Sequence, residues 1–132
     1  MPKNATSGSI ELNRLLSGMN EAGGFPISVL TDTQGLAIAS AAQDGLDPER
    51  QSAVVAFVQK TAVQVSRQLG MAKADEISLY DAEGQRLVCR PFQIDEHELI
   101  LAVMVADRDQ SYRRLTNHAL AEIHRVWKHY WG

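Results

Sequence analysis

The spacing of apolar positions at the start of the chain predicts a helix followed by a strand. Leu12, Leu15, Leu16 and Met19 recur at the spacing of one helix face. Ser9 is a suitable N-cap, and the glycine pair at 23–24 accepts the left-handed conformation that ends a helix. Residues 25–31 then alternate between apolar and polar side chains, which is typical of a strand.

Two later stretches repeat one pattern of strand, turn and strand. They are "TDTQGLAIAS" at 31–40 and "YDAEGQRLVCR" at 80–90, and each places an Asp three residues before a Gly. An Asp at the first turn position accepts hydrogen bonds from the backbone ahead of it, and Gly tolerates a positive φ. The sequence therefore predicts two antiparallel hairpins, in which strand 25–31 pairs with 36–40 and strand 75–80 pairs with 86–92.

The longest helix is predicted between these hairpins. Asp47 is its N-cap, Pro48 suits the first helical position and Gly70 ends it. Phe57 and Val63 lie on two other sides of this helix, away from its main stripe, so we expect the helix to have more than one neighbour. The main stripe, expected to face the sheet, is Val54, Val58, Ala62, Val65 and Leu69.

The segment "LILAVMVA" at 99–106 is apolar at every position, which predicts a central strand covered by helices on both faces. A last helix is expected from Asp109 or Ser111. Its apolar face comprises Tyr112, Leu115, Ala119, Ile123, Val126, Trp127 and Tyr130. The predicted order is α-β-β-α-β-β-β-α, an α+β fold in which a five-stranded antiparallel sheet is sandwiched between helices. We expect a flexible tail over residues 1–8 and a single domain over 9–132.

Composition narrows the functional class. The chain has 132 residues, 45% of them hydrophobic, as expected for one globular domain. A net charge of −3 argues against nucleic-acid binding.

The longest apolar run, 99–106, is less than half of the roughly 20 residues that a membrane span needs, so no membrane insertion is expected. The start of the chain lacks the apolar core of a signal peptide, and Cys89 is the only cysteine; both favour a cytoplasmic location. The basic segment from Arg108 onward is a solvated helix face or a contact for an acidic partner or anionic lipid.

A search for catalytic or metal-binding residues finds little. The acidic cluster Asp95–Glu98 includes a His, but adjacent side chains in a turn diverge, so a charged hairpin loop is favoured over a metal site. His118, His124 and His129 share a helix at spacings of six and five, which do not bring imidazoles together.

The remaining reactive or aromatic residues also favour structural roles. Cys89 has no activating cation, because the neighbouring Arg90 points to the opposite face of the strand. Trp127 and Trp131 indicate core packing and anchoring of a helix end rather than a ligand cage. The sequence therefore predicts a protein that is not an enzyme and needs no cofactor.

The ordered set of segments resembles the Roadblock family, the dynein-light-chain-type relatives of the longin and profilin-like folds. The segments are "ELNRLLSGM", "GGFPISVLTDTQGLAIAS", "LDPERQSAVVAFVQKTAVQVSRQLG", "ISLYDAEGQRLVCR" and "ELILAVMV", and the resemblance covers about residues 9–126. It implies the strand order 2-1-5-4-3, with the long helix on one face of the sheet and the other two helices on the opposite face.

The resemblance also implies a homodimer, in which the third strand pairs with its copy and the two long helices lie side by side. The dimer interface is then expected at Ile77, Leu79, Tyr80 and Val63.

Family members include small bacterial and archaeal proteins encoded beside Ras-like GTPases, so the implied partner is a Ras-like small GTPase. Lys60, Gln64 and Arg67 lie opposite the apolar stripe of the long helix, with Phe57 at the rim of the platform that they form. These four residues are the predicted partner-binding set. The resemblance implies an adaptor that accelerates GTP hydrolysis, promotes nucleotide exchange or localises the GTPase.

An alternative is a small-ligand sensor, because profilin-like and PAS-like sandwiches can hold ligands in their cores. The inward positions of this chain are filled with Leu, Ile, Val and Phe, without a polar cluster to orient a ligand. The adaptor is therefore the favoured hypothesis.

Overall fold

The structure, a computed structural model, describes the backbone of residues 2–132 and the side chains from Ser7 onward. It contains three helices and five strands in the predicted order. These are α1 (Pro2–Gly23), β1 (Ile27–Asp32), β2 (Ala37–Ala42), α2 (Pro48–Leu69), β3 (Ile77–Tyr80), β4 (Arg86–Ile94), β5 (His97–Val105) and α3 (Arg113–Tyr130).

The five strands form one antiparallel sheet in the order β2-β1-β5-β4-β3. Strand β5 is central, and its Ala102 pairs with Val29 of β1 on one side and Cys89 of β4 on the other. The topology implied by the family resemblance and the central position of the apolar strand are both confirmed.

Each face of the sheet has its own core. On one face, Leu12 and Leu16 of α1 meet Ile123 of α3 over Leu101 of β5. On the other face, Val55 of α2 packs on a smaller cluster from the sheet, which comprises Val29, Leu87, Cys89, Ile100 and Ala102. Successive residues of β5 enter opposite cores, which explains why the strand is apolar at every position.

The predicted turn chemistry and the predicted caps of α2 are confirmed. In the first hairpin, Asp32 Oδ1 accepts hydrogen bonds from the backbone N–H groups of Gln34 and Leu36, at 2.8 and 3.0 Å, and Gly35 has φ +89°. The second hairpin repeats this arrangement around its own Asp and Gly. Asp47 caps α2 by accepting from two backbone N–H groups, and Gly70 ends the helix at φ +68°.

Several predicted boundaries are wrong. Helix α1 begins at Pro2 rather than Ser9, and at Gly8 it passes so close to Trp131 that a Cβ there would lie 2.5 Å from the indole ring. Helix α3 begins at Arg113, later than predicted. Strand β3 covers 77–80 rather than 75–80, because the side chains of residues 75 and 76 bind α3 instead of extending the ladder. Met1, in the predicted tail, lies outside the described residues, and the division into tail and single domain stays a prediction.

The predicted buried stripe of α2 is also wrong. The side that faces the sheet carries Ser52, Val55 and Ala56, whereas Val54 and Leu69 of the predicted stripe are exposed by 48% and 70%. Small side chains on the buried side allow the helix to lie close to the sheet. Most of the apolar residues of α2 therefore remain on its surface.

Among the described residues, no helix combines the length and apolar character that crossing a bilayer would require.

Candidate functional site

An apolar strip runs along one flank of α2. At about 100° per residue, Val54, Val58 and Val65 fall within about 40° of one another around the helix axis. Val54 and Val65 are exposed, while Val58 is partly buried against the α2 core, as are Ile77 of β3 and Met104 of β5. The strip therefore adjoins the part of the sheet that lies next to β3.

Strand β3 forms the outer edge of the sheet and extends this apolar surface. Leu79 pairs with Leu87, a residue of the α2 core, so its side chain lies on the same face of the sheet as α2 and is 65% exposed. Ile77 lies on the same face and is half-buried. We call Val54, Val58, Val65, Ile77 and Leu79 the free apolar face.

The other two predicted interface residues lie elsewhere. Tyr80 alternates to the opposite face of the sheet, where the guanidinium of Arg86 lies 4.4 Å from its ring centre. Val63 lies about 140° around α2 from Val58, on the flank away from the free apolar face. The structure thus brings together two of the four residues.

The four predicted partner-binding residues are all on the surface of α2. Phe57 is 71% exposed, an unusual position for a large aromatic side chain. Lys60, Gln64 and Arg67 occupy the flank opposite the apolar strip, within about 60° of one another. Among the described residues, neither of the two cations has an ion-pair partner.

A cavity of about 560 Å³ lies between the C-terminal half of α2 and the hairpin formed by β4 and β5. Val63 and Arg67 line it from the helix, and Phe92 and Ile100 line it from the sheet. Arg67 therefore lies beside the sheet, whereas the prediction directed it away from the sheet. The Lys73 ammonium and the Glu98 carboxylate, 4.0 Å apart, stand at the same cavity.

The opposite face of the sheet holds a polar network that the sequence analysis missed. The Glu76 carboxylate accepts hydrogen bonds from Tyr112 Oη and Arg113 Nη1, each at 2.5 Å. Arg90 is 6% exposed and donates to Thr116 Oγ1 at 2.8 Å. One signal was available, because in a strand covered on both faces an Arg that alternates with a buried Cys must itself be buried.

The network shifts the pKa values of its carboxyl groups. The hydrogen bond from Arg113 lowers the pKa of Asp75, supported by the charge of the same guanidinium. Burial acts to raise the pKa of Glu76, but hydrogen bonds from Tyr112, Ser78 and Arg113 together outweigh it, so the pKa is lowered. Both groups are therefore held in the charged form.

The acidic loop and the aromatic C-terminus bind each other. Asp95 and Glu96 form a two-residue hairpin tip, and the His97 ring lies 5.2 Å from that of Trp127. Trp127 in turn stacks on Trp131 at 4.7 Å. Within the part of the chain whose side chains are described, no three His, Cys, Asp or Glu residues are placed to hold a metal ion.

No protein-family model and no curated protein matches this chain. Solved structures do match it. Myxococcus xanthus MglB aligns at a TM-score of 0.77 and 16% identity, covering 93% of this chain and 92% of that one. A structure titled "MglB with tetrameric arrangement" aligns at 0.74 and 16% identity, over 92% and 91% of the two chains. The Roadblock/LC7 domain from Streptomyces avermitilis aligns at 0.70 and 16% identity, over 89% and 95%. The chain therefore has the Roadblock fold.

Proposed function

We propose that this protein is a non-enzymatic, homodimeric adaptor that binds a Ras-like small GTPase in the cytoplasm and regulates or localises it. The Roadblock fold supports the family resemblance from which the partner class was predicted. The observation that carries the proposal is the surface of α2, where an exposed apolar strip and an exposed Phe57 flank a polar side with two unpaired cations. A helix that only covered its own sheet would need neither.

Self-association is the first part of the proposal. Strand β3 has a ladder partner on one side only, and an exposed strand edge beside an apolar surface favours pairing with another chain. A second copy that pairs at β3 would bury Leu79 and bring the two α2 strips together. One of the aligned structures is of MglB with a tetrameric arrangement, which supports self-association of this chain.

Sedimentation equilibrium tests this part. The wild-type chain should be a dimer at micromolar concentration, and Leu79→Asp should be monomeric or aggregate. Leu36→Asp is the matched control, because Leu36 is 67% exposed, as Leu79 is 65% exposed, but lies in the turn between β1 and β2. A monomeric wild-type chain, or dissociation by both substitutions, would contradict the proposed interface.

Recognition of the GTPase is the second part. Twofold pairing through the strips would leave the flank of Lys60, Gln64 and Arg67 on the outer side of each α2, as two mildly basic surfaces with Phe57 at the rim of each. The family resemblance leads us to expect a mixed apolar and acidic surface near the nucleotide-dependent switches of the partner. Such a contact combines an aromatic anchor with complementary charge, and its charged component should weaken as salt rises.

The test is a pull-down assay with the Ras-like GTPase whose gene lies nearest to the gene of this protein. Phe57→Ala combined with Lys60→Glu should weaken binding by roughly 30-fold or more, the size expected when an interface hot spot is removed. The dimer and its melting temperature should remain. Arg114→Glu, an exposed charge reversal on α3, is the control. If the control abolishes capture and the double variant does not, the binding surface is the basic α3 helix.

The effect on the GTPase follows from two rates measured with and without the adaptor. Faster GTP hydrolysis identifies an activator of hydrolysis, and faster release of bound GDP identifies an exchange factor. Binding without a change in either rate identifies a localising adaptor.

The small-ligand sensor has one supporting observation, the cavity between α2 and the β4–β5 hairpin. Its volume of about 560 Å³ lies in the usual range for small-molecule sites. Mass spectrometry of the protein purified under native conditions would reveal a bound small molecule, and Ala62→Trp should exclude it by filling the cavity. A protein that carries no such molecule supports the adaptor.

A further inference from the structure

The edge strand β3 is short and weakly held by the sheet. It has four residues and pairs only with β4, and its last three residues are exposed. Strands with few buried contacts and one free edge open more readily than the centre of a sheet. The proposed dimer nevertheless needs this strand in a defined position.

The start of β3 is tied to the start of α3. Glu76, directly before the strand, receives hydrogen bonds from Tyr112 and Arg113, and its Oε2 also accepts one from Ser78 Oγ at 2.9 Å. Arg113 Nη2 donates at the same time to Asp75 Oδ2 at 2.8 Å. One guanidinium therefore holds two consecutive carboxylates at the entry to β3.

The end of β3 is tied to the same place. The guanidinium carbon of Arg86 lies 4.4 Å from the ring centre of Tyr80, the last residue of the strand. It also lies 4.7 Å from the ring centre of Tyr112. Tyr112 is thus connected to both ends of β3, through its hydroxyl group at one end and through Arg86 at the other.

We propose that Tyr112 and Arg113 are positioning residues for self-association, because they hold the free edge strand β3 where a second copy can pair with it. This inference rests on the proposed homodimer. Neither residue needs to touch the second copy. Displacement of Tyr112 and Arg113 would therefore release β3 and weaken the dimer.

A purely structural role of Arg113 and a positioning role predict different results, because loss of a purely structural residue would lower the stability of the whole fold. Arg113 is half-exposed, and without it Glu76 still accepts hydrogen bonds from Tyr112 and Ser78, so loss of Arg113 should change the melting temperature only slightly. If the residue positions β3, its loss should instead act locally, on the exchange of the β3 amides and on association. These two readouts separate the roles.

The experiment compares Arg113→Ala and Tyr112→Phe with the control Arg125→Ala. Tyr112→Phe removes the hydroxyl group and keeps the ring near Arg86. Arg125 lies on the same helix and binds Glu122 at 3.1 Å, away from β3. Hydrogen exchange of residues 77–80 is measured with Leu79 unchanged, on protein diluted below the dimer dissociation constant so that the chain is monomeric, and the dimer dissociation constant is measured for the same variants.

For Arg113→Ala we expect amide exchange of residues 77–80 to become about tenfold faster and the dimer dissociation constant to rise about tenfold. Changes of this size are typical when two interacting sites are coupled. Tyr112→Phe should shift both in the same direction, and Arg125→Ala should shift neither.

Unchanged exchange in both variants would overturn the positioning role, whatever the oligomeric state. Faster exchange with an unchanged dissociation constant would overturn the control of association. If the wild-type chain is monomeric, both the homodimer and the effect of Tyr112 and Arg113 on its association are overturned. In that case the exchange data would still separate a failed dimer from a failed positioning role.

Discussion

Lys128 Nζ lies 2.9 Å from Oδ1 and 3.1 Å from Oδ2 of Asp95, joining the end of α3 to the tip of the β4–β5 hairpin. Asp95 adopts a left-handed backbone conformation at φ +54°, which the two-residue turn requires. The rings of His97 and Trp127 meet beside this ion pair. The C-terminal end of the chain is therefore fastened to the hairpin by one ionic and one aromatic contact.

These two contacts should differ in strength. Trp127 is buried, so Trp127→Ala should lower the free energy of unfolding by about 3–5 kcal/mol. Lys128→Ala should cost less than about 1 kcal/mol, because both partners of that ion pair are about half-exposed and solvent screens them. Urea denaturation of the two variants measures both values. Equal losses would mean that the ion pair fastens the helix end as strongly as the indole does.

Stability should fall with acid through the Asp75 and Glu76 carboxyl groups. Their pKa values are lowered in the folded protein from ordinary values of 3.8 and 4.5. A lowered pKa contributes stability above the unfolded-state value, and this contribution is lost as the pH falls through the folded-state value. The loss should therefore begin near pH 4.5 and continue below pH 3.8.

Urea denaturation at a series of pH values between 7 and 3 tests this dependence. Glu76→Gln should reduce the slope below pH 4.5, since it removes one of the titrating groups. Glu83→Gln is a control, because Glu83 is an exposed carboxylate in the β3–β4 turn. An identical slope in the wild type and Glu76→Gln would show that other carboxylates cause the acid loss.

Substitution of two glycines by alanine should have opposite effects on the stability of the fold. Gly35 has φ +89°, and a Cβ there would lie 3.3 Å from the Ala53 Cα of α2, so Gly35→Ala should destabilise the fold by about 1–3 kcal/mol. Gly18 lies inside α1 with nothing within 4 Å of an added Cβ. Gly18→Ala should therefore stabilise by about 0.5–1 kcal/mol. Thermal unfolding of both variants decides, and destabilisation by Gly18→Ala would contradict the open space at that position.

Cys89 should be inert in the folded protein. Burial raises the pKa of its thiol to about 12, so almost no thiolate exists at neutral pH. A thiol reagent at pH 8 should react only after unfolding, and Cys89→Ala should change the free energy of unfolding by no more than about 1.5 kcal/mol. Dimerisation and partner binding should remain. Rapid labelling of the native protein would indicate that β4 opens readily.

Local chemistry accounts for most of the fold that could be predicted. The hairpin turns follow from an Asp that bonds the next backbone N–H groups and a Gly that accepts positive φ, and these interactions span at most four residues. The cap at Asp47 and the stop at Gly70 are equally local. The central position of β5 follows from its unbroken apolar sequence.

The candidate site was less predictable, because it depends on which side of α2 meets the sheet. Apolar periodicity favoured the side with Val54 and Val65, whereas the sheet receives the side with Ser52 and Ala56. Periodicity shows that one side of a helix is apolar but not what covers that side. An apolar strip that binds a second chain has the same sequence pattern as one that packs on the core. Phe57, placed off the predicted stripe by its spacing alone, is on the surface in the structure.

The sequence by itself determined the order of elements, the turns, the caps of α2 and the buried central strand, because each depends on neighbours within a few residues or on the composition of one segment. Only the tertiary structure decided that α2 turns its small side chains inward, and that Glu76 meets Tyr112 and Arg113 across 36 and 37 residues of chain. Contacts of that separation arise from the relative placement of α3 and β3, which are fixed by packing on the sheet. No local pattern of apolar and polar residues specifies such a placement.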